Sequence, residues 1–105
     1  MAKLHIKGRI LQLLEERGPL WDYEIFELIA GEYPEVEGQY WYDTLRLVLA
    51  DLYSSGITTS VEEGLDPGKS FGVEKILFRF ELTPFGLERM RHTGLSTGRR
   101  QEVMA

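Results

Sequence analysis

The chain of 105 residues offers few groups suited to covalent chemistry. It has no cysteine, so thiolate metal sites, disulfides and cysteine nucleophiles are excluded. His5 and His92 stand far apart, and no cluster of metal-ligating residues accompanies either. Glu15-Glu16 and Glu62-Glu63 read as solvated surface, because 28% of the chain is charged and chance neighbours are common. Gly64-Leu65-Asp66-Pro67-Gly68-Lys69-Ser70 looks like a phosphate-binding loop, but three residues separate its glycines where the Walker pattern needs four. A strand pattern follows it, not the helix whose N-terminus would face a phosphate. A turn with Lys69 at its tip is the expectation. No nucleophile–base arrangement emerges, so neither enzymatic activity nor a cofactor or metal is expected.

The remaining candidates for recognition chemistry are Tyr40-Trp41-Tyr42 and the polar residues around them. Three consecutive aromatics can form a stacking or partner-binding platform. The expectation here is that Trp41 is core, Tyr42 partly covers it, and Tyr40 alone is outside. Leu47, on the outward side of the same helix, adds slight support for a protein interface.

These residues need a scaffold, and the hydrophobic periodicity outlines one. Ile6, Ile10, Leu13 and Leu14 recur on one face of a helix near residues 4–17, closed by Gly18-Pro19. Gly8 inside it weakens the first turn. Asp22 reads as the N-cap of a second helix over 22–31, with Trp21 and Phe26 spaced as a hydrophobic staple. A third helix over 39–54 carries Trp41, Leu45, Val48, Leu49 and Leu52, and Gly56 is its left-handed stop. The period then changes to two: Ile57, Thr59 and Val61 alternate in one strand, and Ile76, Phe78, Phe80 and Leu82 in another, around a turn at Asp66-Pro67-Gly68. Thr83-Pro84 opens a fourth helix over 84–93. The segment 95–105 reads as a mobile tail.

The expected fold class is α+β, mainly α, in the order α-α-α-β-β-α over residues 1–94. Three short helices followed by a hairpin is the winged helix-turn-helix arrangement. An unrelated α+β fold and a helical bundle with a stray hairpin are the alternatives at this length.

Charge is unevenly spread. The net charge is -5. Residues 1–21 carry four bases against two acids, and residues 67–105 carry seven against four. Residues 22–66 carry eleven carboxylates and a single base, Arg46. Polyanions are repelled by the middle and attracted by the ends. No run of about 20 apolar residues is present to span a membrane, and the N-terminus lacks the apolar core of a signal peptide. A cytoplasmic protein is the expectation.

Several short motifs resemble those of winged-helix transcription regulators. Gly18-Pro19-Leu20-Trp21-Asp22-Tyr23-Glu24-Ile25 resembles the start of the second helix in PadR-like regulators. Leu49, Leu52, Gly56 and Ile57 resemble the end of their recognition helix. Phe80-Glu81-Leu82-Thr83-Pro84-Phe85-Gly86 resembles the exit from the wing in PadR-like and MarR-like proteins. The similarity covers about residues 6–92. There are departures. Arg46 stands where PadR-like proteins place a tyrosine, and the chain ends soon after the fourth helix, where that family carries a long dimerisation helix.

The resemblance implies a homodimeric transcription regulator that binds duplex DNA. The third helix would enter the major groove and the wing would touch the backbone. The residues expected to contact DNA are Gln39, Tyr40, Asp43 and Arg46 on that helix, with Lys69 and Lys75 on the wing. Gln39 suits adenine and Arg46 suits guanine. Further phosphate contacts would come from Lys3, Lys7 and Arg9 or from Arg79. Against this stands the acidic middle of the chain, which suits a different role: a winged-helix interaction module that docks a basic protein partner without binding DNA. A third possibility is a small aromatic ligand held near Trp21, Phe26 and Trp41.

Overall fold

The computed structural model describes residues 5–35, 38–67 and 73–96. Among them lie four helices and a three-stranded antiparallel sheet. The helices are α1 (Ile6–Arg17), α2 (Asp22–Glu32), α3 (Gly38–Ser54) and α4 (Pro84–His92). The strands are β1 (Leu20–Trp21), β2 (Thr58–Pro67) and β3 (Val73–Leu82). The chain is therefore α+β and mainly helical. Its order is α-β-α-α-β-β-α, which corrects the expected α-α-α-β-β-α. The added element is β1, only two residues long, and no alternation can announce a strand that short. It exists because β3 offers it a partner: Leu20 pairs with Phe80 and Trp21 with Arg79. β3 is thus the central strand, with β2 on its other side.

The core is built from the helical faces seen in the periodicity. Ile10, Leu13 and Leu14 of α1, Ile25 and Ile29 of α2, Leu45 and Leu52 of α3 and Met90 of α4 are fully buried. Phe80 of β3 closes this cluster from the sheet side. The hairpin is irregular. Its register shifts between Ser60 and Glu62, leaving Val61 as an extra residue. A bulge of this kind reverses the face presented beyond it. Thr58, ahead of the bulge, is buried, and Val61, at the bulge, is exposed.

Local signals explain the helix ends. α3 stops at Gly56, whose φ is +81°. The Gly56 N–H donates to the Tyr53 carbonyl and the Ile57 N–H to the Leu52 carbonyl, a Schellman closure that delivers the chain into β2. α2 begins differently from the expectation. Trp21 occupies the cap, and its N–H donates to the Glu24 carboxylate at 2.9 Å. Asp22 is the first helical residue instead. At the cap, Trp21 no longer holds the N′ position that the staple reading gave it. Its ring stacks near Tyr23, with centroids 6.0 Å apart, and covers Gly64 of β2, where an added Cβ would meet it at 3.7 Å.

One ion-pair cluster ties the first two helices together. Arg9 donates through Nε to Glu32 at 2.7 Å and through a second nitrogen at 3.1 Å, while Nη1 reaches Glu16 at 2.9 Å. The Glu32 hydrogen bond, opposed by desolvation, raises the Arg9 pKa above its ordinary value. Arg9→Ala is expected to cost about 1 kcal/mol in urea unfolding. Arg9→Lys should restore less than half of it, because an ammonium cannot engage both Glu32 oxygens in one plane. The C-terminal end of the described chain is also tied down. Gln12 donates to the Leu95 carbonyl at 3.0 Å, Leu95 packs on the core, and the Ser96 hydroxyl donates to the buried Glu15 carboxylate. Of the segment 95–105 expected to be a mobile tail, residues 97–105 lie outside the described residues.

Candidate macromolecule-binding face

α3 carries most of the residues singled out for recognition, and its packing decides which of them reach solvent. Leu45, Leu49 and Leu52 turn inward, with Trp41 and Val48 packed beside them. The opposite side presents Tyr40, Asp43, Leu47, Ala50, Asp51 and Ser54, all exposed. Tyr40 is 73% exposed and Leu47 72%. Tyr42 sits at the margin with its ring 5.3 Å from that of Phe26, and Trp41 meets Tyr40 edge-on at 5.5 Å. Tyr40 is the more exposed, but Tyr42 is exposed as well at 41%, which corrects the expectation that Tyr40 alone lies outside.

Arg46, the one base of α3, is half-buried rather than fully outward. It lines a cleft of about 410 Å³ between α3 and the hairpin, together with Asp22, Tyr53, Glu63, Phe78 and Phe80. Its charge acts on Asp22. Asp22 is 3% exposed and uses both oxygens: Oδ1 accepts from the Tyr23 N–H at 2.8 Å and Oδ2 from the Phe78 N–H at 3.1 Å. The carboxylate takes over the β3 edge at the point where β1 turns into α2. Burial raises the Asp22 pKa, against the lowering effect of these two hydrogen bonds and of Arg46.

The other cations expected to serve phosphates are similarly placed among carboxylates. Lys7 pairs with Asp51, Arg9 with Glu32 and Glu16, and Arg79 with Glu62 at 3.3 Å. Lys3 and Lys69 lie outside the described residues. Gln39 lies on α3 and Lys75 on β3, but their side chains are outside what the structure describes. Exposed bases at Arg17, Arg89 and Arg91 belong to the last turn of α1 and to α4. The structure thus brings Tyr40, Asp43 and Leu47 onto one face and sets Arg46 apart from them in the cleft.

Trp21 meets Tyr23, Phe26 meets Tyr42 and Trp41 meets Tyr40, and none of the three lines the α3–hairpin cleft. That cleft was not foreseen. Its residues come from positions 22, 46–54, 60–63 and 78–80, and separations of this size leave no local pattern. Among the described residues there is no group of three or more His, Cys, Asp or Glu able to hold a metal ion, and no helix long and apolar enough to cross a membrane. No protein-family model matches the chain, and neither characterised proteins nor solved structures yield a match to it.

Proposed function

We propose that the chain is a winged helix-turn-helix domain that acts as a protein-interaction module, docking a basic partner through the outward face of α3. The winged-helix reading is supported by the α2–α3 pair and the following hairpin, and by the short β1 strand that adds to its central strand. The Thr83-Pro84-Phe85-Gly86 junction, similar to the wing exit of PadR-like and MarR-like regulators, supports it as well.

A single observation carries the interaction role. The α3 face that a winged helix would push into a major groove bears Tyr40, Asp43, Leu47, Ala50 and Asp51, and the cation that meets it, Lys7, is paired with Asp51. Phosphate attraction supplies most of the affinity of DNA binders, and each contact requires a base or a neutral donor. Exposed leucine and tyrosine beside an aspartate suit a protein instead. The second reading, a homodimeric DNA-binding regulator, draws on the element order and on Lys69 and Lys75, expected on the wing. In that case Gln39, Tyr40, Asp43 and Arg46 would contact DNA as well.

Fluorescence anisotropy separates the two. Mixed-sequence duplex at about 50 mM salt, where phosphate attraction is strong, should show no saturable binding. A Lys- and Arg-rich peptide should bind saturably, and the paired change Asp43→Asn and Leu47→Ser should weaken it about tenfold, since each residue contributes roughly 0.5–1 kcal/mol. Tight duplex binding that falls steeply with salt, and that Arg46→Ala with Lys69→Ala abolishes, would instead establish the DNA reading.

A further inference from the structure

We infer that the cleft between α3 and the hairpin receives an arginine side chain of the basic partner, with a neighbouring apolar residue seated on the hairpin. The inference rests on the docking role above and names its specificity subsite. The walls are aromatic: Tyr53 stands on α3, and the rings of Phe78 and Phe80 lie 6.0 Å apart on β3. Two carboxylates and one guanidinium share the lining. Asp22 is committed, since both its oxygens hold backbone N–H groups and Arg46 acts on its charge. Glu63, exposed on β2, remains as excess negative charge where the cleft opens.

A planar cation satisfies these groups together. Its faces stack on Tyr53 and Phe78, and its edge donates to the Glu63 carboxylate and to the hydroxyls of Ser54 or Ser60. An ammonium matches the charge but not the flat aromatic walls. Arg46 would draw an anion, but Asp22 balances its charge and Glu63 leaves the lining net negative. Beyond the cleft, Leu65 and Ile76 are cross-strand partners, 72% and 45% exposed, and Ile76 shares the Phe78 and Phe80 side of β3. That apolar step continues the cleft outward. It selects a chain segment with arginine beside an apolar residue over a free small molecule.

The test is an amide NMR titration of the isotope-labelled domain with the blocked tripeptide Leu-Arg-Leu, compared with Leu-Lys-Leu and Leu-citrulline-Leu. Saturable shifts are expected at residues 49–54, 60–63 and 76–80. Lysine should bind about threefold more weakly and citrulline not saturably. Glu63→Gln should weaken the arginine peptide about fivefold and Tyr53→Ala about tenfold. Both side chains are exposed, so the variants keep the fold, and their amide spectra will show it. Shifts centred on Asp43 and Leu47 that ignore Glu63→Gln would overturn the cleft assignment while leaving basic-partner docking intact. Equal binding of the citrulline peptide would also overturn it. If a longer Lys- and Arg-rich peptide too gives no saturable shift anywhere, both the subsite and the docking role fall.

Discussion

Gly86→Ala is expected to remove about 3 kcal/mol or more of folding stability and to lower the thermal midpoint by roughly 12–20 °C. Gly86 lies in the first turn of α4, where the helix is pressed onto the chain entering β2. A Cβ built at this position would stand 2.1 Å from the Ile57 carbonyl oxygen and 3.0 Å from its carbon. Neither is a flexible side-chain end that can swing away. The same carbonyl is held by Thr83, whose N–H donates to it at 3.0 Å and whose hydroxyl lies 3.1 Å from it. The Thr83 hydroxyl also caps α4 by accepting from the Gly86 N–H at 2.9 Å. Moving α4 outward to admit a methyl group would therefore break its own cap and lift Met90 from the core. Gly31→Ala is the matching control. It sits in α2 with nothing within 4 Å of an added Cβ, and alanine there should gain about 0.5 kcal/mol through helix propensity. Thermal melts of the two variants should move in opposite directions. A Gly86→Ala protein that melts with the wild type would mean that α4 is not seated on Ile57.

Removing the Asp22 carboxylate should be nearly as damaging, with Asp22→Ala losing about 2–4 kcal/mol. The N–H groups of Tyr23 and Phe78 would both lose the acceptor that the buried Asp22 carboxylate provides. Asp22→Asn should recover part of this, because it keeps one oxygen but points its amide donor at the other N–H. The pH dependence has a defined sign. Burial raises the Asp22 pKa above its ordinary 3.8. The folded state then holds this proton at a pH where the unfolded chain has released it. The contribution is full below the ordinary value and is lost as pH rises through the folded one. Wild-type stability, measured by urea unfolding relative to the non-titrating Asp22→Asn, should decline as pH rises from about 4 and then level off. A relative stability that climbs over that range would contradict a carboxyl burdened by burial.

Both positions show where sequence reasoning reaches its limit. Thr83-Pro84 was readable as a helix start, because cap chemistry is local. That Gly86 must be glycine was not readable, since the atom that forbids a side chain belongs to Ile57, twenty-nine positions earlier. Asp22 looked like an ordinary N-cap for the same reason. Its adjacent partner, Tyr23, is local, but the Phe78 N–H comes from across the sheet. The helix limits fared well, because α1, α2, α3 and α4 each join a strong apolar stripe to a stop at glycine, proline or both.

Periodicity and composition alone determined four helices, a hairpin, a cysteine-free chain and an acidic middle segment, because each is written in neighbouring residues. They also placed Tyr40, Asp43, Arg46 and Leu47 on one helix. Only tertiary packing decided which of these share a surface. The inward pull of Leu45, Leu49 and Leu52 sets the rotation of α3, so Tyr40, Asp43 and Leu47 face solvent while Arg46 comes within the field of Asp22. The β1 strand and the aromatic cleft likewise exist only because β3 runs through the centre of the sheet. It gives Leu20–Trp21 a partner and brings Phe78 and Phe80 opposite Tyr53. Such pairings arise between distant segments through burial and hydrogen bonding, and no spacing within the chain records them.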